Sequence, residues 1–195
     1  MVLKLPIKFY PHTSIHKNIF MEAKKVSESK TIMTEMVMPP DTNTFGNLMG
    51  GILMKWMDVA GAICAGRHAE NYVVTASVDN VSFEHPIRLG DIITLEAVVT
   101  RAFNTSIEVF IEVFIHDIVH KKNTKSNHAY FTFVALEPTS MRPTKVPEVL
   151  PITEQEENLY TGAVRRREIR LVLSGRMKPS EAIKVKEFLD LHQKK

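Results

Sequence analysis

A carboxylate and a pair of glycines are the residues between Asn43 and His68 that could do chemistry. Asp58 stands among apolar and small residues, and an ionisable group in apolar surroundings is typical of an active site. Gly50 and Gly51 precede it where a helix is predicted to begin, and the free N–H groups of a helix N-terminus can bind an oxyanion. A base or nucleophile and oxyanion donors on one rigid element are the skeleton of an acyl-transfer site.

A structural interpretation of Asp58 competes with this one. Lys55 lies three residues earlier, and an i,i+3 ion pair on a helix contributes only about a few tenths of a kcal/mol. A carboxylate that is buried without partners costs several kcal/mol. Asp58 is therefore expected either to be paired or to serve a reaction as general base or nucleophile.

A long apolar helix must hold these residues in place. Between Ile52 and Gly66 the only charged residues are Lys55 and Asp58, and all others are apolar or small. This stretch is too short, and too charged near its middle, to span a bilayer. A helix that is hydrophobic all round is predicted to lie buried at the centre of the fold. The small residues of its second half allow another backbone to approach closely.

Alternating apolar and polar residues around this helix predict the strands of one sheet. The predicted strands cover residues 31–38, 72–83, 91–101, 106–116 and 129–136. The second face of the 106–116 strand mixes glutamates with phenylalanines, which suggests partial burial against a partner chain. A polar, lysine-rich stretch at 117–127 predicts a loop. One strand, a long helix and four more strands predict an α+β fold in which an antiparallel sheet wraps around the helix.

The domain predicted from these elements covers residues 30–137. Residues 1–29 are rich in lysine and interrupted by prolines, which predicts a flexible arm. A mitochondrial transit peptide is one alternative for this arm, and Met21 as the working initiator is another. After the domain, residues 138–152 contain several prolines and are predicted to form a linker.

A helical extension is predicted over residues 153–195. Thr153 and Glu156 form a capping-box pattern at its start, and the first helix is expected to end near Ser174. This helix carries Arg165, Arg166, Arg167 and Arg170. The arginines are either a solvated helix face or a site for phosphate groups, because arginine matches phosphate geometry bidentately.

Composition excludes several classes of protein. A formal net charge of +3 over 195 residues is too small to imply a nucleic-acid partner. The single cysteine, Cys64, rules out an intrachain disulfide framework, fits a reducing compartment such as the cytoplasm, and is read as a core residue. No metal-binding CxxC or HExxH spacing and no phosphate-cradling GxxxxGK[ST] motif occur.

An ordered set of motifs runs through the predicted domain. The motifs are Asn43-x-x-Gly46, Gly50-Gly51, Trp56-Met57-Asp58, Arg67-His68, VTASVD at 74–79 and TRAFNTS at 100–106. The set resembles the acyl-coenzyme A thioesterases of the hotdog fold, and among these it is most similar to the brown-fat-inducible and cytosolic acyl-CoA hydrolases and their bacterial relatives. The resemblance covers roughly residues 30–137.

The resemblance implies hydrolysis of the acyl-CoA thioester to a free fatty acid and coenzyme A, without a separate cofactor. Asp58 would activate water or attack as a nucleophile, and Asn43 would position water or polarise the carbonyl. Gly50 and Gly51 would donate N–H groups to the carbonyl oxygen. The residues implied for coenzyme A are Ala76, Ser77, Val78, Thr105, Ser106 and Ile107, and the basic helix offers Arg166, Arg167 and Arg170 for its phosphates. Strand-end hydroxyls without a binding role are the alternative for Thr105 and Ser106.

The resemblance also implies a homo-oligomer, because a single domain carries both Asn43 and Asp58. We expect a homodimer with two composite sites, in some relatives assembled into hexamers, and no nucleic-acid or membrane partner. A hotdog dehydratase would need a catalytic histidine, for which only His68 is a candidate. A ligand-sensing repressor would need a DNA-binding module, and no helix-turn-helix pattern is evident. A non-catalytic acyl-CoA-binding protein remains the main alternative.

Overall fold

The computed structural model describes residues 21–117 and 120–193, and its main feature is a five-stranded antiparallel sheet curled around one long helix. In chain order the elements are β1 (Lys24–Lys25), α1 (Val26–Ser29), β2 (Thr31–Met36), α2 (Gly50–Ala69), β3 (Tyr72–Phe83), β4 (Ile92–Ala102), β5 (Ser106–Asp117), β6 (Lys122–Leu136), β7 (Val149–Leu150), α3 (Glu154–Leu173) and α4 (Ile183–Gln193). The strands lie in the order β2-β4-β5-β6-β3, so β3 is an edge strand. The predicted α+β fold is confirmed.

The core lies between the sheet and α2. Ile93 and Leu95 of β4 and Ile111 of β5 have no exposed surface, as their period-2 pattern predicts. The helix approaches this face through small residues. A Cβ atom at Gly61 would lie 2.9 Å from the ring of Phe133 and 3.1 Å from Ile111. A side chain at Gly61 would therefore push the helix away from the sheet.

One face of α2 is uncovered, which corrects the prediction of a helix buried on all sides. Val59 and Ile63 are 41% and 40% exposed. Lys55 and Arg67 extend the same stripe at i,i+4 spacing and are exposed too. The stripe is uncovered because the sheet packs against only one side of the helix.

None of the described helices is long and apolar enough to cross a membrane.

The end of the predicted N-terminal arm belongs to the fold. Lys24 and Lys25 pair in parallel with Val149 and Leu150, and Val26 is 4% exposed. One short strand and one helical turn before the predicted boundary at residue 30 thus pack with the domain. The rest of the arm, residues 1–20, lies outside the described residues.

The predicted linker at 138–152 is also packed against the domain. Val146, Pro147 and Val149 are buried. The Nε2–H group of the fully buried His68 donates to the Pro147 carbonyl at 2.9 Å. The segment is thus a strap fixed to the C-terminal end of α2, and its prolines restrict it instead of loosening it.

The polar stretch predicted as a loop at 117–127 is mostly strand. Lys122 opens β6 opposite Asp117, and Lys125 pairs with Phe114. Residues of any polarity can join a ladder that uses backbone groups, so the side-chain pattern did not reveal this part of the hairpin. Residues 118–119 lie outside the described part.

α3 lies across the face of the sheet opposite to α2. It starts as predicted: Thr153 Oγ1 accepts the Glu156 N–H at 3.2 Å, and the Glu156 carboxylate accepts the Thr153 N–H at 3.0 Å. Arg166 donates from Nη2 and Nε to Oε1 of Glu108 at 2.7 and 3.0 Å. Thr100 Oγ1 donates to the same oxygen at 2.7 Å. The Glu108 side chain is completely buried beneath the helix.

These contacts correct two expectations about the outer face. The second face of β5, expected to be buried against a partner chain, is covered at Glu108 by α3 of the same chain. The arginines of α3 are half-buried packing residues and not a solvated face. The Arg166 guanidinium lies 4.1 Å from the Tyr130 ring, and that of Arg165 lies 3.7 Å from the Phe188 ring of α4.

Loss of Arg166 should leave Glu108 as an uncompensated buried charge. We expect Arg166→Met to lower the free energy of unfolding by about 3–5 kcal/mol, because breaking a buried pair from one side is strongly destabilising. Urea denaturation measures this change. The double variant Glu108→Leu/Arg166→Met should recover most of the loss, since no buried charge remains. The exposed Arg176→Met control should stay within about 0.5 kcal/mol. A change below about 1 kcal/mol for Arg166→Met would contradict the assignment.

His68 should make the fold sensitive to acid. Burial lowers the pKa of His68 below its ordinary 6.5, although the Pro147 carbonyl opposes the shift. Below about pH 6.5 the unfolded imidazole therefore binds a proton more readily than the folded one. The contribution of His68 to the free energy of unfolding is fully present above about pH 6.5 and is lost as the pH falls below that value. The Tm of wild type should decrease from pH 7.5 to 5, and His68→Gln should flatten that decrease. A slope unchanged in His68→Gln, and altered in the exposed His85→Gln control, would contradict this.

Candidate active site

Asp58 lies on α2 with its carboxylate turned to the edge strand β3. Thr75 Oγ1 donates to Asp58 Oδ1 at 2.5 Å. Asp58 is half-buried, so the expectation of a fully buried carboxylate is corrected. Among the described residues no ion pair joins it to Lys55, which is exposed, and the structural alternative of an i,i+3 pair is not supported.

Thr75 is the site residue that sequence reasoning missed. The turn at Glu70 and Asn71 folds β3 back alongside α2, and Glu70 adopts the left-handed conformation at the helix C-cap with φ of 50°. A strand that returns directly along the preceding helix must bring its early residues next to that helix. A hydroxyl residue early in the strand after the helix could therefore have been predicted as a partner of the helical carboxylate.

The N-terminus of α2 keeps two N–H groups free. The N–H groups of Ile52 and Leu53 donate to the Met49 carbonyl at 3.0 and 3.1 Å. Those of Gly50 and Gly51 have no acceptor in the described part of the chain, and both glycines are exposed. The space next to Gly51 is open, with no atom within 4 Å of a Cβ built there. The two glycines predicted as oxyanion donors stand at the start of α2, and their role stays a prediction.

A cavity of about 280 Å³ adjoins this helix end. Its apolar lining includes Leu48, Leu53, Phe83 and Ile87, and Gly50 forms part of its rim. The free N–H end of the helix therefore borders space that an apolar group can occupy.

Asn43 shapes the loop that leads to α2. Its Oδ1 accepts the N–H groups of Phe45 and Asn47 at 2.9 and 3.2 Å. The Gly46 N–H donates to its main-chain carbonyl at 3.0 Å, and Gly46 has a φ of +74° that favours glycine. The side-chain oxygen of Asn43 is occupied, so the amino group is what remains to act on a ligand. That group is a donor, which favours polarisation of a carbonyl. The catalytic role of Asn43 stays a prediction.

The two strand segments predicted for coenzyme A lie at the same level of the sheet. Ser106 pairs with Val134 of β6, and Val134 pairs with Val74 of β3, so the segments are separated by one intervening strand, or about 10 Å. Ser77 donates to Asp79, and the Ile107 side chain is fully buried, so Ile107 can offer only its backbone. Ala76, Val78 and Thr105 also fall in these segments, and their binding roles stay predictions.

The three arginines predicted for phosphate groups are all engaged within the chain. Arg166 pairs with Glu108, and Arg170 Nη1 donates to Asp79 Oδ2 at 2.6 Å. The Arg167 guanidinium lies 4.9 Å from the Phe103 ring, next to the hairpin that carries Thr105 and Ser106. Arg167 is therefore the one of the three without a carboxylate partner among the described residues, and the phosphate role stays a prediction for all three.

Comparison with known proteins identifies the family. The model of the thioesterase superfamily matches residues 45–120. The uncharacterized acyl-CoA thioester hydrolase YkhA of Bacillus subtilis is 39% identical over 145 residues, which are 74% of this chain and 84% of that protein. Protein VdlD of Helicobacter pylori is 38% identical over 159 residues, 80% of this chain and 90% of that protein. The chain belongs to the thioesterase superfamily. It matches only 24% of the longer acyl-coenzyme A thioesterase 11 of mouse, at 39% identity.

Solved structures of the superfamily share the fold. An acyl-CoA hydrolase from Staphylococcus aureus, in complex with butyryl coenzyme A, coenzyme A and coenzyme A disulfide, aligns with a TM-score of 0.74 and 37% identity. The alignment covers 86% of this chain and 99% of that one. An apo-hexameric acyl-CoA thioesterase aligns with a TM-score of 0.76 and 37% identity over 79% of this chain and 98% of that one. The staphylococcal hydrolase is also known with an aspartate, a threonine or an asparagine replaced by alanine.

Proposed function

We propose that this superfamily member is an acyl-CoA thioesterase, which hydrolyses the thioester to a fatty acid and coenzyme A. The observation that carries the proposal is the Asp58 carboxylate of α2, which accepts a hydrogen bond from Thr75 of β3. The glycines at the start of the same helix keep their N–H groups free. Acyl transfer to water requires a carboxylate and oxyanion donors, and α2 carries both kinds of group.

The spacing of three residues supports this assignment. In the staphylococcal variants the replaced asparagine precedes the aspartate by 15 positions, and the threonine follows the aspartate by 17. Asn43, Asp58 and Thr75 are separated by the same 15 and 17 positions. The relatives are named for acyl-CoA thioester hydrolysis, which agrees with the proposal.

The geometry suggests how the roles are divided. Thr75 occupies Oδ1 of Asp58, which leaves Oδ2 to act. Oδ2 either takes a proton from water as the water oxygen attacks the carbonyl carbon, or attacks that carbon itself to give a mixed anhydride that water then hydrolyses. In both routes the C–S bond breaks and coenzyme A leaves as a thiol after protonation. The N–H groups of Gly50 and Gly51 would stabilise the charge on the carbonyl oxygen.

We further propose that two chains build each site. Gly51 and Asp58 are separated by seven helical residues, or about 10 Å along the axis, so one chain is poorly placed to bring its Asn43 loop and its helix start onto the same thioester as its own Asp58. The exposed stripe of α2 with Val59 and Ile63, and the edge strand β3, offer a surface for a second copy. Hexameric thioesterases among the solved relatives agree with further assembly.

The structure gives less support to a dehydratase or a DNA-binding repressor. A dehydratase would need His68 as an accessible catalyst, but its imidazole is fully buried and hydrogen-bonded to the Pro147 carbonyl. α3 is packed on the sheet through Arg166 and Arg170, which leaves it unlike a free recognition helix. A cytoplasmic location and the absence of nucleic-acid and membrane partners stay predictions.

Replacing Asp58 tests the reaction itself. Asp58→Asn should lower kcat by at least about a hundredfold while the fold persists, as for a lost general base or nucleophile. Release of free thiol from a panel of acyl-CoA substrates measures the rate and also the preferred chain length. Asp190→Asn, the same change at an exposed position of α4, should leave kcat unchanged. Near-wild-type turnover in folded Asp58→Asn would exclude the assignment. No thiol release by the wild type would favour the non-catalytic acyl-CoA-binding alternative.

Mixing two inactive variants tests the shared site. Asn43→Ala and Asp58→Asn homodimers should each be nearly inactive. After subunit exchange, heterodimers should carry one site with both wild-type groups. Half the dimers are heterodimers under full statistical exchange, so activity should approach about a quarter of the wild-type value. If exchange is proven by mass-tagged subunits and activity stays absent, the two residues act within one chain, or Asn43 only shapes its loop.

A further inference from the structure

Arg170 near the end of α3 reaches the strand that holds Thr75. Its Nη1 donates to Asp79 Oδ2 at 2.6 Å, and the two side chains are 12% and 26% exposed. Ser77 Oγ donates to the other carboxylate oxygen of Asp79 at 2.8 Å. Both oxygens of Asp79 are therefore fixed, one from the helix and one from its own strand.

An irregularity in β3 turns these residues away from Thr75. Thr75 pairs with Phe133, and Ser77 pairs with the next residue of β6, Thr132, so Ala76 is an extra residue in the ladder. Phe133 packs against Gly61 of α2, which places Thr75 on the inner face. Ser77, paired with Thr132, follows the opposite face, and alternation brings Asp79 to that face too, whereas Val78 pairs with the buried Phe131 and faces inwards.

Asp79 lies on that outer face. It pairs with Tyr130, whose ring contacts Arg166 of α3. The bulge thus lets one short segment present a hydroxyl to Asp58 on α2 and a carboxylate to Arg170 on α3.

Within the described part of the chain, few regular backbone pairs hold this segment. β3 is an edge strand, and its regular pairing with β6 is interrupted between Thr75 and Ser77 and again between Asp79 and Ser82. Only three consecutive residues, Ser77 to Asp79, pair regularly between the two irregularities. A side-chain anchor at Asp79 therefore has a direct effect on where the bulge places Thr75.

We propose that Arg170 is a positioning residue for the reaction, acting through Asp79 and the β3 bulge to hold Thr75 against Asp58. This inference rests on the proposed thioesterase function. It differs from the prediction that Arg170 binds a phosphate of coenzyme A, because a positioning residue affects kcat and a phosphate ligand affects KM. α3 would then complete the catalytic geometry without contacting the substrate.

Kinetics on two substrates separate these roles. Arg170→Gln should lower kcat about tenfold with KM changed less than about twofold, since small displacements of a positioned group slow the chemical step. The loss should be equal for an acyl-CoA and its 3′-dephospho analogue. Arg170→Lys, which can keep the ion pair, should restore part of kcat. Arg176→Gln, an exposed arginine just beyond α3, should behave as wild type. Asp79→Asn should reproduce the loss and serves as the second variant if Arg170→Gln does not fold.

A double-mutant cycle tests whether the effect passes through Thr75. In a Thr75→Val background, Arg170→Gln should lower kcat by less than about twofold further, because the bond that it maintains is already gone. Independent, multiplying losses would overturn the proposal. A rise in KM restricted to the substrate with the 3′-phosphate would also overturn it and would assign Arg170 to coenzyme A.

A spectroscopic readout does not depend on turnover. With ¹³C-methyl-labelled threonine, assigned by Thr75→Val, the Thr75 methyl signal should move in Arg170→Gln and stay in place in Arg176→Gln. An unmoved signal would overturn the positioning role even if the wild type releases no thiol. A wild type that releases no free thiol from acyl-CoA would instead overturn the proposed function, so the two failures are distinguishable.

Discussion

The close packing of α2 on the sheet is the constraint on which the rest of the structure depends. At Gly61 the helix comes so near the sheet that a Cβ would lie 2.9 Å from Phe133. Cys64, three residues along, is fully buried, and burial raises the pKa of its thiol to about 12, which agrees with a core role. Because the helix is fixed at this depth, Asp58 comes level with Thr75 on the edge strand. The same packing leaves the helix start at Gly50 outside the core.

The two long helices begin in opposite ways, and the difference follows their roles. α3 opens with a capping box in which Thr153 and Glu156 satisfy N–H groups reciprocally. α2 opens after Met49 without a side-chain cap. A missing cap costs about 1 kcal/mol, which a helix with so much core contact can tolerate. What it leaves in return is a pair of N–H groups at Gly50 and Gly51 that can bind developing negative charge.

Local patterns were sufficient for much of this fold. The predicted bounds of β2 to β5 were within two residues of those observed, because alternation is visible in neighbouring positions, whereas β6 begins seven residues before its predicted start. The docking of α3 was not predicted, since Arg166 and Glu108 are 58 positions apart and a charge cluster has no local sign of its partner. The strap at Pro147 was read as a linker for the same reason. Within the candidate site, Asp58 and the glycines were singled out by their unusual surroundings, whereas Thr75 looks like an ordinary strand residue.

The basic helix is best understood from the direction in which it crosses the sheet. The Arg101 guanidinium of β4 lies 4.1 Å from the Tyr160 ring, Arg166 meets Glu108 of β5, and Arg170 meets Asp79 of β3. Ten residues of helix, from Tyr160 to Arg170, advance about 15 Å. Three steps between neighbouring strands, from β4 through β5 and β6 to β3, span about 14 Å. The helix therefore meets the strands in their order across the sheet, and its polar side chains reach buried or half-buried partners on each side of the central strands. An extension that ties β4 to the edge strand in this way is part of the frame that holds β3 beside α2.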